Sequence, residues 1–222
     1  MPCDIISVDV EDIIGAHLVD TSGKLNRHYI DAKGNIIEAF KAEGDQKNMG
    51  AILNRVVQMM EMNRGCKLKG NLIVNKVNGN FHISSHAFPE VFLILQAQGK
   101  VLDFSHKINH LSFGSEESIS KIKSITGGWN LSPLDKLEDY KHRSMNMGDH
   151  FHNTHTSYFL DIIPTKYMIG DDEEYSAHEF TYSFQTLYTH GMSEIFFQYE
   201  LSPIFITYKV TQESFFEFFI RC

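Results

Sequence analysis

The residues best able to do chemistry are the histidines of His150-Phe151-His152-Asn153-Thr154-His155. Imidazoles at i, i+2 and i+5 can converge on one zinc ion, and zinc turns a bound water into a hydrolytic nucleophile. The spacing resembles a His-x-His-x-Asp-His hydrolase core, except that Thr154 stands where that core carries its aspartate. Without that ligand, and without the mixed α/β pattern that carries such a core, a polar loop of exposed histidines is the simpler reading. Other chemistries leave less trace. There is no Gly-x-Ser-x-Gly turn for a serine nucleophile and no glycine-rich phosphate loop. Asp171-Asp172-Glu173-Glu174 lacks the alternating ligand spacing of a calcium loop and reads as a solvated hairpin tip. Asn130-Leu131-Ser132 is a glycosylation sequon with Pro133 directly after it. No catalytic apparatus and no cofactor are expected.

Histidine is nonetheless abundant, at 12 of 222 residues. His82, His86, His106 and His110 fall around the central strand patterns and are candidate pH-sensing residues. Unperturbed imidazole titrates near ~6.5, so a group of them gains positive charge on mild acidification. Taken singly, each is more ordinarily a hydrogen-bonded structural residue. The net charge of −8 and the lack of any Lys/Arg run argue against a nucleic-acid or anionic-membrane surface. No stretch reaches the roughly 18–20 apolar residues of a membrane helix. Asp4, Asp9, Glu11 and Asp12 also interrupt any signal-peptide core. A strand pattern begins almost at Met1, and Phe215–Cys222 grows more apolar toward its last residue. Such ends are expected of a domain lying between two hydrophobic anchors. Cys3, Cys66 and Cys222 have no zinc spacing. Cys3 and Cys66, each ahead of a strand, would suit a staple in an oxidising compartment, although spacing does not fix a pairing.

The elements that must position these residues follow from periodicity. Ile6, Val8 and Val10 alternate with polar residues in a strand over Asp4–Asp12. Gly15, Gly23 and Gly34 punctuate a hairpin-like stretch. Met49, Ile52, Leu53, Val56, Val57 and Met60 recur at helical spacing, predicting an amphipathic helix over Gln46–Asn63. From Lys69 the period changes to two. Strands are expected over Asn71–Val77, Asn80–Ser85, Val91–Gln96, Leu102–Ser105, Tyr158–Ile163, Glu179–Thr186, Ile195–Tyr199 and Ile204–Val210. Asn78-Gly79-Asn80 is the strongest hairpin signal, Ser115–Ser124 reads as a short helix, and Thr126–Asn153 as a long polar loop. The fold expected is all-β: a β-sandwich of two mainly antiparallel sheets with one amphipathic helix and that loop. It would form a single domain over residues 1–222.

Three stretches, taken in series, carry a family resemblance. Gly65-Cys66 runs on to Asn75-Lys76-Val77-Asn78-Gly79-Asn80-Phe81-His82; Phe104-Ser105-His106-Lys107-Ile108-Asn109-His110-Leu111-Ser112-Phe113-Gly114 follows; Tyr199-Glu200-Leu201-Ser202-Pro203-Ile204 is the third. Together with Ile163-Pro164-Thr165-Lys166-Tyr167 they resemble the luminal domain of the ER–Golgi intermediate compartment proteins, the family of COPII-vesicle ER proteins. The resemblance implies a luminal domain between two membrane helices outside this sequence, in a protein cycling between ER, intermediate compartment and Golgi. It implies a cargo receptor or receptor-complex subunit, with a related family subunit and luminal cargo as partners, and not an enzyme. It also implies a Cys3–Cys66 disulfide, because both positions match cysteines shared by the family. The chain lacks one branch's cysteine-rich insert and looks like a shorter-type subunit. Asn130-Leu131-Ser132-Pro133-Leu134-Asp135 departs from the family's Asn-Pro-Leu-Asp. Partner contacts are expected from exposed strand faces and the Thr126–Asn153 loop, with Trp129, Asn130, His150 and His152 as candidates. A luminal metal-dependent hydrolase using His150, His152 and His155 is the alternative.

Overall fold

The computed structural model describes residues 7–12, 27–30, 33–38, 49–62, 65–86, 88–127, 129, 131–139, 153–169, 173–189 and 191–210. In chain order these give β1 (Ser7–Asp12), β2 (Arg27–Ile30), β3 (Ile36–Glu38), α1 (Met49–Glu61), β4 (Gly79–Ser84), α2 (Pro89–Ala97) and β5 (His106–Lys107). Then follow α3 (Glu116–Ile125), β6 (Glu138–Asp139), β7 (Asn153–Ile169), β8 (Glu173–Thr189), β9 (Glu194–Leu201) and β10 (Ile206–Val210). Strands predominate, as the two-residue periodicity predicts. Hydrogen-bonded neighbours run β10-β7-β9-β4-β1-β2-β3 with β8 also on β7, and β5 pairs with β6 in a separate ribbon. The β10–β7 pair is parallel; β1 with β2, β2 with β3, and β4 with both β1 and β9 are antiparallel.

The chain packs as two compact units. The first comprises Met1–Lys107, Glu138–Phe159 and Ser183–Tyr199. Its apolar sheet face follows from register: Val8 opposes Ile83, which opposes Ile195, and Phe81 opposes Phe197. The Phe81 and Phe197 rings stack at 4.6 Å, and Tyr158 stacks on Phe197 at 4.8 Å. Cys66, Leu68, Leu72 and Ile83 pack against Val8. Between β2 and β3, Gly34 has φ +82°, and an added Cβ would lie 1.5 Å from the Lys67 carbonyl oxygen, so only glycine fits that turn.

The second unit comprises Ile108–Leu137, Leu160–Tyr182 and Glu200–Cys222. Its core gathers Ile119 and Ile122 of α3 with Leu131, Tyr167 and Ala177. Helix α3 starts where Ser115 accepts the Ser118 amide, with Glu116 and Glu117 in its first turn, and stops at Gly127 with φ +70°.

Several elements differ from the sequence expectation. Val91–Gln96 is not a strand but the middle of α2. Pro89 at the helix start and Glu90 in the first turn favour a helix, which buries Val91, Phe92 and Leu95. Three helices therefore stand among the described residues, where one amphipathic helix and a short one were expected. Asn71–Val77 and Leu102–Ser105 form no strand. Gly79 and Asn80 make no hairpin; they open β4, whose partners β1 and β9 are distant in sequence. The described middle of the expected polar loop is anchored, with Leu131 and Leu134 buried and a turn over residues 133–136.

Candidate functional site

The face of the first unit's sheet opposite Val8 and Phe81 carries a row of ionisable groups. Register alone sets most of it. Asp9 on β1 faces His82 on β4, and His82 faces Phe196 on β9. Because side chains alternate along a strand, Glu194 shares the face of Phe196. His155 on β7 completes the row, its ring stacked on Phe196 at 5.9 Å. On the other side of Phe196, the His82 ring stacks at 5.4 Å.

Asp9 and His82 are both buried, with His82 Nε2 3.5 Å from Asp9 Oδ2. Ser7 Oγ donates to the same carboxylate oxygen at 3.3 Å. His82 Nδ1 is buried without a hydrogen-bond partner among the described residues. Burying such a polar atom unpaired costs roughly 1–3 kcal/mol. His86 follows β4 by a short turn, held by its amide to Ser84 Oγ at 3.3 Å. Its ring lies edge-on to His82 at 5.5 Å, and its Nε2 is 3.7 Å from Glu194 Oε2. The other Glu194 oxygen is 2.7 Å from His155 Nδ1, whose Nε2 meets Ser157 Oγ at 2.8 Å. Three imidazoles and two carboxylates thus alternate across β1, β4, β9 and β7. Donor atoms of Asp9, His82 and His86 lie within 4.8 Å of one another. A tetrahedral zinc site would hold its ligand atoms about 3.3 Å apart, so as arranged these groups are a charge cluster.

Of the four candidate histidines, the structure brings together two. His106 is committed elsewhere: Nδ1 to the Phe104 carbonyl at 2.9 Å and Nε2 to the Tyr158 hydroxyl at 2.7 Å. In the second unit, His110 bonds Asp135 through Nδ1 at 2.9 Å and Ser112 through Nε2 at 3.0 Å, tying down the turn before β6. Asp9, Glu194 and the pairing role of His155 went unread in the sequence. The antiparallel alternation of β1 against β4 could have found Asp9; nothing local marks Glu194.

Among the partner-contact candidates, Trp129 is 46 % exposed, and Asn130, His150 and His152 lie outside the described residues. Trp129 meets Tyr208 edge-on at 4.8 Å, and Tyr208 stacks on Tyr167 at 5.2 Å. The Tyr167 hydroxyl donates to Glu179 Oε1 at 2.5 Å. Burial, that hydrogen bond and the Glu179 charge together hold the Tyr167 phenol well above the ordinary range, and burial then Glu179 raise Tyr208 too. Cys66 is disulfide-bonded, and its partner, Cys3 or Cys222, lies outside the described residues. Of the acidic run, Glu174 pairs with Lys166 at 2.6 Å; Asp171 and Asp172 lie outside the described residues.

The sequence matches the family described as "Endoplasmic reticulum vesicle transporter" over residues 39–222. Zebrafish "Endoplasmic reticulum-Golgi intermediate compartment protein 2" is 34% identical over 168 residues, which cover 70% of this chain and 39% of that protein. Zebrafish "Endoplasmic reticulum-Golgi intermediate compartment protein 1" is 26% identical over 222 residues, covering 97% and 59%. The solved structure "Crystal Structure of Erv41p" aligns with a TM-score of 0.46 at 15% identity, covering 93% of this chain and 88% of its own. The chain spans about two fifths of the length of the first of these relatives. The hydrolase alternative finds no support: the family is one of vesicle transporters, and His155 has both ring nitrogens engaged by Glu194 and Ser157. This chain belongs to the endoplasmic reticulum vesicle transporter family.

Proposed function

We propose that the chain is the luminal, partner-binding domain of a membrane protein that cycles between the endoplasmic reticulum, the intermediate compartment and the Golgi in coated vesicles. It acts there as a cargo receptor or a receptor-complex subunit and is not an enzyme. The family match over residues 39–222 carries this reading. Residues 1–222 form one luminal domain, a β-sandwich, between membrane helices outside this sequence. Cys3 is the partner of Cys66, in a lumen oxidising enough to keep the bond. A related family subunit and luminal cargo are the partners, and Trp129, Asn130, His150 and His152 make contacts.

Within that role, His82 and His86 sense acidification. The groups facing them are Asp9 from β1, Glu194 and Phe196 from β9, and His155 from β7. His82 touches Asp9 of β1 and His86 touches Glu194 of β9, so a change at either histidine reaches three strands of the sheet. His106 meets a carbonyl and a hydroxyl rather than a carboxylate, and His110 pairs with Asp135 in the second unit; the acid response proposed is that of the clustered pair, His82 and His86.

The role is tested by an in vitro budding reaction on ER membranes carrying the full-length, epitope-tagged protein. Recovery in COPII vesicles at the level of an established transported membrane protein is expected. Retention in the donor membranes, with other cargo packaged normally, would overturn it.

A further inference from the structure

We propose that Trp129, Tyr208 and Glu179 form a recognition pocket for a cationic side chain, arginine above all, presented by a protein partner. That the partner is a luminal protein rests on the function proposed above; the chemistry of the pocket does not.

A cavity of about 180 Å³, lined by Trp129, Leu131, Glu179 and Tyr208, opens on the second unit. That is far more than the roughly 10–15 Å³ a single water needs. Its walls are aromatic. Trp129 leaves 46 % of its surface exposed while its ring rests against Tyr167 at 6.1 Å and Tyr208 at 4.8 Å. The second wall is an anion. Glu179 is half-buried, accepts the Tyr167 hydroxyl, and has no lysine, arginine or histidine partner among the described residues. A carboxylate flanked by aromatic faces is the complement of a cation: the rings attract it through their quadrupoles and the carboxylate accepts its N–H groups. Both phenols are shifted away from ionisation, partly by Glu179 itself, so the rings stay neutral beside the carboxylate. Arginine fits better than lysine, because a planar guanidinium can stack on an indole and still offer a fork of donors to one carboxylate. The chain's net charge of −8 favours the same class of ligand at longer range.

Trp129 is the sole tryptophan, so its emission reports this pocket and nothing else. The test is a fluorescence titration of the 222-residue chain with N-acetyl-arginine amide, and with N-acetyl-citrulline amide as the neutral isostere. Expected is a saturable response to the arginine compound and at least about tenfold weaker binding of citrulline, the difference a desolvated charge makes. Glu179→Gln should bring arginine binding down to the citrulline level, and Tyr208→Leu should weaken it independently if the first variant folds poorly. Equal binding of the two compounds, or no saturation with arginine up to about 50 mM, would overturn the proposal. So would a response seen only after Lys141→Gln and Arg143→Gln, since the pocket would then serve a cation of this chain. None of these failures bears on packaging into vesicles, which the budding reaction reads separately.

Discussion

The His82 row and the Trp129 pocket use the same ingredients, carboxylates against aromatic rings, to opposite ends. In the first unit the carboxylate Asp9 is buried and already faces an imidazole, so a partner is built into the sheet. In the second, Glu179 faces phenols and an open cavity, with no basic partner among the described residues. The difference lies in what register supplies. Sheet pairing sets Asp9 directly opposite His82. The pocket instead depends on Trp129 arriving from the segment after α3 to meet Tyr167 and Tyr208. A site closed by strand register carries its own partners; a site closed by a loop residue leaves room for one from elsewhere.

The comparison can be broken first by stability. Asp9→Ala removes the buried carboxylate that His82 Nε2 and Ser7 Oγ meet and should cost about 1–3 kcal/mol in denaturant unfolding. If its cost is below about 1 kcal/mol, the row is no more than a surface-like ion pair. Next, Tyr158→Phe removes the hydroxyl that meets His106 Nε2 and should cost about 1–2 kcal/mol. That would confirm His106 as structural, whereas a null effect would return it to the acid-sensing candidates.

Alkaline pH separates the two regions further. The folded-state pKa of Tyr167 is raised, so its contribution is fully present below the ordinary phenol value of about 10 and is lost as pH rises beyond it. The unfolded chain gives up its proton first, which favours unfolding. Thermal melts of the wild type should therefore fall more steeply above pH ~10 than those of Tyr167→Phe. Parallel curves would remove Tyr167 from the pocket's electrostatics. Smallest of all, His110→Ala breaks an exposed contact to Asp135 and should cost less than about 1 kcal/mol in the same unfolding assay.

Much of the fold was legible because period-two alternation is a local signal. β4, β8, β9 and β10 lie where Asn80–Ser85, Glu179–Thr186, Ile195–Tyr199 and Ile204–Val210 were read, with shifted ends. The run Val91–Leu95 is ambiguous because a short apolar stretch lacks a period, and the helix signal lies in Pro89 beside it. The site was half legible. Histidine count pointed to His82 and His86, but Glu194 is reached only through the pairing of β4 with β9, and residues so far apart in sequence carry no joint local pattern. Phe104, within Phe104–Gly114, is core, as its apolar character suggests. Equally, a lone Trp129 in a polar stretch gives no hint of Glu179 fifty positions on.

The most direct test of the central claim is co-purification of this chain with the luminal domain of a related family subunit, measured at pH about 7.2 and about 6.2. The account predicts a several-fold change in the amount retained, abolished when His82 and His86 are both replaced by glutamine. Retention equal at the two pH values, or a pH response that survives the double replacement, would contradict it.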